Sequence, residues 1–173
     1  MIDKIPVRKT ALFVSIIAII MALFHLYTSG FGRFPALQQR SIHLAFALIL
    51  TFYLYPVRKK GVPGKLSSAI NILSSIGALL CCGNIAFVIY YVLYERAGAA
   101  TNIDIVLGFI LIILVLDMTR RIMGWALPII TLIFIVYGFL GSHIALPYIT
   151  HSGMDVPRFI AYTYLSTEGL FTV

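Results

Sequence analysis

Two histidines, His25 and His43, are the first residues in this chain whose placement could do chemistry. One closes the first apolar run and the other opens the second, which would set them at one depth on neighbouring helices. Such a pair could ligate a haem iron, as in a membrane electron-transfer subunit. The plainer reading is two interfacial imidazoles hydrogen-bonded to backbone or water. It is favoured because no second layer of histidines exists at the opposite face; His143 and His151 fall on the same side as the pair. A second constellation is Asp117, Arg120 and Arg121. The acid stands three and four residues before the bases, the favourable order for ion pairs on a helix. Asp104 and Asp117 bracket one apolar segment, so each lies near an interface and neither is placed as a mid-membrane proton carrier. Asn84 and nearby hydroxyls could line a polar path, but no ionisable residue accompanies them. Cys81 and Cys82 are adjacent, with no metal-ligand spacing and no disulfide framework. No phosphate loop, nucleophile motif or pair of carboxylates at one depth is present, so an enzyme is not expected.

The elements that must position these groups are membrane helices. The chain of 173 residues is 61% hydrophobic and only 11% charged, where a soluble domain is about a quarter charged. Its basic pI does not point to nucleic acid, because the charges lie between apolar segments rather than on one face. Five apolar segments are expected to be helices, at about 11–27, 41–57, 69–94, 103–118 and 125–140. Lys4, Arg8 and Lys9 before the first segment resemble a signal peptide. That run is longer than a usual h-region and no small-x-small cleavage site follows, which favours a first spanning helix.

Positive charge sets the expected orientation. With the N-terminus inside, Lys4, Arg8, Lys9, Arg58, Lys59, Lys60, Lys65, Arg120 and Arg121 lie inside, against Arg33, Arg40, Arg96 and Arg158 outside. The bias predicts a cytoplasmic N-terminus. Residues 28–40, with Gly30, Gly32 and Pro35, are expected to form an irregular first loop. Helix two should end at Tyr55-Pro56. Arg58, Lys59 and Lys60 follow as a topology anchor, with anionic-lipid binding as the rival role. Gly61, Pro63 and Gly64 precede helix three. On that helix Ser74, Ala78, Cys82 and Ala86 recur every fourth residue, a strip of small side chains that permits close helix approach.

Residues 103–140 cannot be one helix, which would be roughly 57 Å long at about 1.5 Å per residue, against a hydrocarbon core of about 30 Å. The chain must turn at Asp117–Arg121, where two guanidinium groups demand a membrane surface. Gly124 can supply the turn conformation. Trp125 suits the interface, and Pro128 is tolerated in the first turn of the next helix. This stretch is therefore expected to be a tight cytoplasmic hairpin. Beyond it, residues 141–157 hold Gly141, Pro147, Gly153 and Pro157 and form an outer loop. Asp155 is expected to cap a short helix through about Leu165 that lies along the interface or begins a sixth segment. The fold class is thus an all-α integral membrane protein with about five transmembrane helices and a short C-terminal interfacial helix.

Several strings together resemble a known family. They are Gln39-Arg40-Ser41-Ile42-His43-Leu44, Tyr53-Leu54-Tyr55-Pro56, Thr119-Arg120-Arg121-Ile122-Met123-Gly124-Trp125-Ala126-Leu127-Pro128, Phe134-Ile135-Val136-Tyr137-Gly138 and Tyr164-Leu165-Ser166-Thr167-Glu168-Gly169-Leu170-Phe171. In this order they resemble the N-terminal, small-subunit-like part of fused permeases of tripartite ATP-independent periplasmic (TRAP) transporters of the TAXI-associated class. The resemblance implies a bacterial inner-membrane importer driven by an ion gradient, usually sodium, and supplied by a periplasmic TAXI-type solute-binding protein. It implies a small-subunit-like domain over residues 1–157, a scaffold for a large permease domain or subunit. Residues 158–173 would begin the connection to that large part. The large part would hold the sodium and substrate sites, so no ligand, metal or cofactor is assigned to this chain. The expectation is a truncated permease or a small subunit with a separate partner. Thr172-Val173 depart from the pattern expected at the junction, and the role of Glu168, which matches it, stays open. Asp117, Arg120, Arg121, Gly124, Trp125 and Pro128 are expected to be structural and topological residues. An unrelated small multi-helix assembly protein is the remaining alternative.

Overall fold

The structure, a computed structural model, describes residues 8–32, 34–57, 64–89, 91, 95–96, 98–143, 148 and 150–172. Lys4, Arg33, Arg58, Lys59, Lys60, Gly61, Pro63, Pro147 and Val173, drawn on above, lie outside the described residues, as do the side chains of Arg8 and Lys9.

All secondary structure among the described residues is helical. The order is α1 (Arg8–Gly30), α2 (Ala36–Leu54), α3 (Gly64–Gly83) continuing as a π-helix (Asn84–Ile89), α4 (Asn102–Met123), α5 (Ala126–Leu140) continuing as a 3-10 turn (Gly141–His143), and α6 (Val156–Thr163). Four of these are long and apolar enough to cross a membrane: Thr10–Gly30, Gly64–Ile89, Asn102–Met123 and Ala126–His143. The molecule is an all-α membrane protein. Segments 103–118 and 125–140 both lie in helices of spanning length, because each continues into the polar residues at its ends.

Helix α2 differs from the expectation. It is 19 residues long but is not apolar enough to rank with the other four, because Gln38, Gln39, Arg40, Ser41 and His43 fill its first two turns. Its burial supplies the reason. Gln38, Ser41, Leu48, Thr51 and Phe52 are all buried, and α2 packs against α1, α3 and α4. A helix surrounded by other helices can carry polar groups that the protein itself satisfies. The first break is also shorter than the predicted loop, since α1 runs to Gly30 and α2 starts at Ala36.

The core lies where α2, α3 and α4 meet. Ala78, Cys82 and Ala86 from the strip of small residues are buried there. Gly77 faces Leu114 of α4; a Cβ at Gly77 would sit 3.3 Å from Leu114 Cδ1. The outlying helices are α1 and α5. The spanning window of α1 has none of its residues buried, and α5 keeps 11% buried, so both present long apolar faces to lipid or to another membrane protein.

The C-terminal segment forms the expected short helix. Helix α6 is capped by Asp155, which accepts from Arg158 N at 3.1 Å, has Pro157 in its first turn and ends at Thr163, two residues short of Leu165. Ile160, Tyr164, Leu165 and Phe171 are buried in the bundle core. Gly108 of α4 makes room: a Cβ there would stand 2.9 Å from Ile160 Cδ1 and 3.2 Å from Tyr164 Cβ. The outward face of α6 holds Arg158 and Tyr162, which accounts for its polar character in sequence.

Candidate functional site

The Asp117–Pro128 stretch forms a hairpin in which only Gly124 and Trp125 separate α4 from α5. Gly124 ends α4 with φ 81 and ψ −162, and its N–H donates to Arg120 O at 3.0 Å. That φ/ψ region is essentially reserved for glycine. Pro128 is the third residue of α5 and buried, inside the turn where an N–H has no helical partner anyway. Trp125 is largely exposed, and the Arg120 guanidinium lies 5.2 Å from its ring centroid.

Asp117 pairs with both arginines. Arg120 Nη2 donates to Oδ1 at 2.6 Å and Arg121 Nε to Oδ2 at 2.7 Å. Arg121 then turns inward. Its side chain is only 4% exposed, its Nη1 donates to Asn71 Oδ1 of α3 at 2.8 Å, and the same nitrogen reaches Tyr55 O at the end of α2 at 3.3 Å. Its Cζ lies 4.8 Å from the centre of the Phe52 ring. Nη2 stands 2.6 Å from Asp117 Oδ2 but off the hydrogen-bond direction, so it is buried without a hydrogen-bond partner. One guanidinium therefore ties together α2, α3 and α4 at one end of the bundle. Sequence reading identified the Asp117 pairs but missed Asn71 and Tyr55, because nothing local marks a partner 50 or 66 positions away.

A second polar set closes the other end. Gln38 Nε2 donates to Ala86 O at 2.6 Å. Arg40 Nη1 donates to Phe171 O at 3.1 Å and Thr167 O at 3.3 Å. Tyr164 Oη donates to Cys81 O at 2.8 Å, with Asn84 Nδ2 3.4 Å away. Burial raises the Tyr164 phenol above its usual range, which keeps it a neutral donor. Asp104 is buried and completes a capping box with Thr101; Arg96 Nη1 lies 3.4 Å from its Oδ2. Glu168, open in the sequence, donates its backbone N–H to Ser166 Oγ at 3.0 Å within the terminal turns.

His25 and His43 do meet. His25 Nε2 and His43 Nδ1 are 2.9 Å apart, in direct hydrogen bond. The observed pair is an imidazole–imidazole hydrogen bond joining α1 to α2. No group of three or more possible metal ligands occurs among the described residues.

Two larger concavities flank these networks. An open cavity of about 540 Å³ is lined by Phe139, Ser142, His143, Asp155 and Arg158, among others. An apolar groove of about 440 Å³ runs between α1 and α3 with α2 as its floor, lined by Phe24, Phe34, Phe46, Leu79, Cys82 and Phe87, among others. In the first, Ser142 Oγ lies 3.2 Å from Nδ1 of its chain neighbour His143, with Asp155 also in the lining; the lining of the second is almost wholly apolar.

No protein-family model, curated protein or solved structure matches the chain.

Proposed function

We propose that this chain is a membrane scaffold segment of a TRAP-type secondary transporter permease in a bacterial inner membrane, with its N-terminus cytoplasmic. The observation that carries the reading is the Arg121 network. The string that most resembles the family, Thr119–Pro128, supplies a rigid hairpin whose buried guanidinium clamps α2 and α3. Such residues hold helices together, which is the task of a scaffold rather than of a solute or ion site. The exposed apolar faces of α1 and α5 suit contact with lipid or with a larger membrane part. Solute and sodium would be bound by that large permease domain or subunit, and a periplasmic TAXI-type protein would deliver the solute.

Gene context tests this reading. A coding region for a long hydrophobic permease directly downstream, with a neighbouring gene for a secreted binding protein, is the expected arrangement. A downstream region with neither, together with a Soret absorbance band in the purified protein, would replace the scaffold by the haem-bearing alternative.

A further inference from the structure

Helix α3 changes register in its last turns. Residues Gly64–Gly83 are α-helical and Asn84–Ile89 are π-helical. A π-turn carries more residues per turn than an α-turn and is a poor conformation without outside support. Here the support comes from two other elements. Tyr164, after α6, donates to Cys81 O just before the switch, and Gln38 of α2 donates to Ala86 O within it. Asn84, the first π-helical residue, points its amide at the same Tyr164 hydroxyl. The Tyr164 ring is held in place independently: it is fully buried, packs over Gly108 and lies 6.4 Å from the ring of Phe171. Arg40, two residues after Gln38 in the first turns of α2, binds the carbonyls of Thr167 and Phe171. The C-terminal segment and the polar start of α2 thus converge on the stretch of α3 that departs from α geometry.

We infer that the C-terminal segment is a latch that sets the register of α3: docked Tyr164, together with Gln38, holds residues 84–89 in the π form, and its release returns them to α. The change is a rotation. A six-residue π stretch lags an α-helix by about 100° at its end, close to the turn of one residue. In the π form Ile85, Ala86 and Ile89 face the core while Phe87 and Val88 are exposed. In the α form Val88 swings towards the core and Ala86 leaves it. Movement of the C-terminal segment is thereby converted into rotation of the end of α3, a coupling that does not rest on the transporter reading.

Spin labels test this in the full chain reconstituted in bilayers, in a background carrying Cys81→Ala and Cys82→Ala. Labels are placed one at a time through Val88→Cys and Leu80→Cys, and oxygen accessibility is read by electron paramagnetic resonance. Leu80 lies before the switch and is exposed. Tyr164→Phe keeps the buried ring and removes only the donor; Gln38→Leu removes the second. The expected result is loss of accessibility at position 88 in the double variant, with position 80 unchanged. Unchanged accessibility at 88 would overturn the latch. So would a parallel change at 80, which would mean general loosening of the bundle.

Discussion

Arg121 reaches across from α4 to place Nη1 2.8 Å from Asn71 Oδ1 on α3, with its side chain almost wholly out of solvent. A buried guanidinium is stable only while its partners remain, because an uncompensated charge in low dielectric is costly. The helix packing at this end depends on that pair and on Asp117.

Asp117→Ala should therefore destabilise the protein by about 3–5 kcal/mol, the cost of leaving one buried charge without its partner. Arg120→Ala should cost far less, about 0–1 kcal/mol, since Arg120 is 29% exposed and its pair with Asp117 is screened. Arg121→Lys should behave more like the first, because an ammonium cannot span Asp117, Asn71 and Tyr55 as a planar fork does. Thermal unfolding in detergent micelles checks the order. Equal losses for Asp117→Ala and Arg120→Ala would contradict it.

Gly124→Ala isolates backbone strain. A Cβ at Gly124 meets nothing within 4 Å, so the whole effect comes from φ 81 and ψ −162, about 1–3 kcal/mol. Gly138→Ala is the matched control within α5, where a Cβ is equally free. There alanine should stabilise by about 0.5–1 kcal/mol through helix propensity. The two unfolding midpoints should move in opposite directions.

Two glycines govern docking of the C-terminal segment. A Cβ at Gly169 would fall on the backbone of Thr163, which cannot yield, and one at Gly108 would crowd Ile160 and Tyr164. Gly169→Ala and Gly108→Leu should each free this segment and speed tryptic cleavage after Arg158. Gly138→Ala should leave the cleavage rate at the parent value.

Topology gives a further check. A reporter fused after Arg121 should register the cytoplasm, as the charge bias predicts; a periplasmic signal would invert the whole arrangement.

Much of this architecture was legible before the coordinates. The hairpin announced itself through length, the charges of Asp117, Arg120 and Arg121, and the glycine that follows them. The strip through Ala78, Cys82 and Ala86 was visible as spacing. Helix α2 was harder, because Gln38 and Arg40 lower its apolarity and only their distant acceptors, Ala86, Thr167 and Phe171, explain why they are tolerated. In the C-terminal segment Asp155 and Pro157 mark the start of α6, whereas the packing of Ile160 and Tyr164, four residues apart on one face, depends on the gap left by Gly108 and has no local signal. The π-helix had no local signal, since its supports lie on α2 and after α6.

The scaffold role is tested most directly by affinity purification of the tagged chain from its native membranes, followed by mass spectrometry. The account predicts recovery with a large, multi-span TRAP-type permease part, either as a separate polypeptide or continuous with the chain. Recovery of the chain from intact membranes with no such part attached would contradict it.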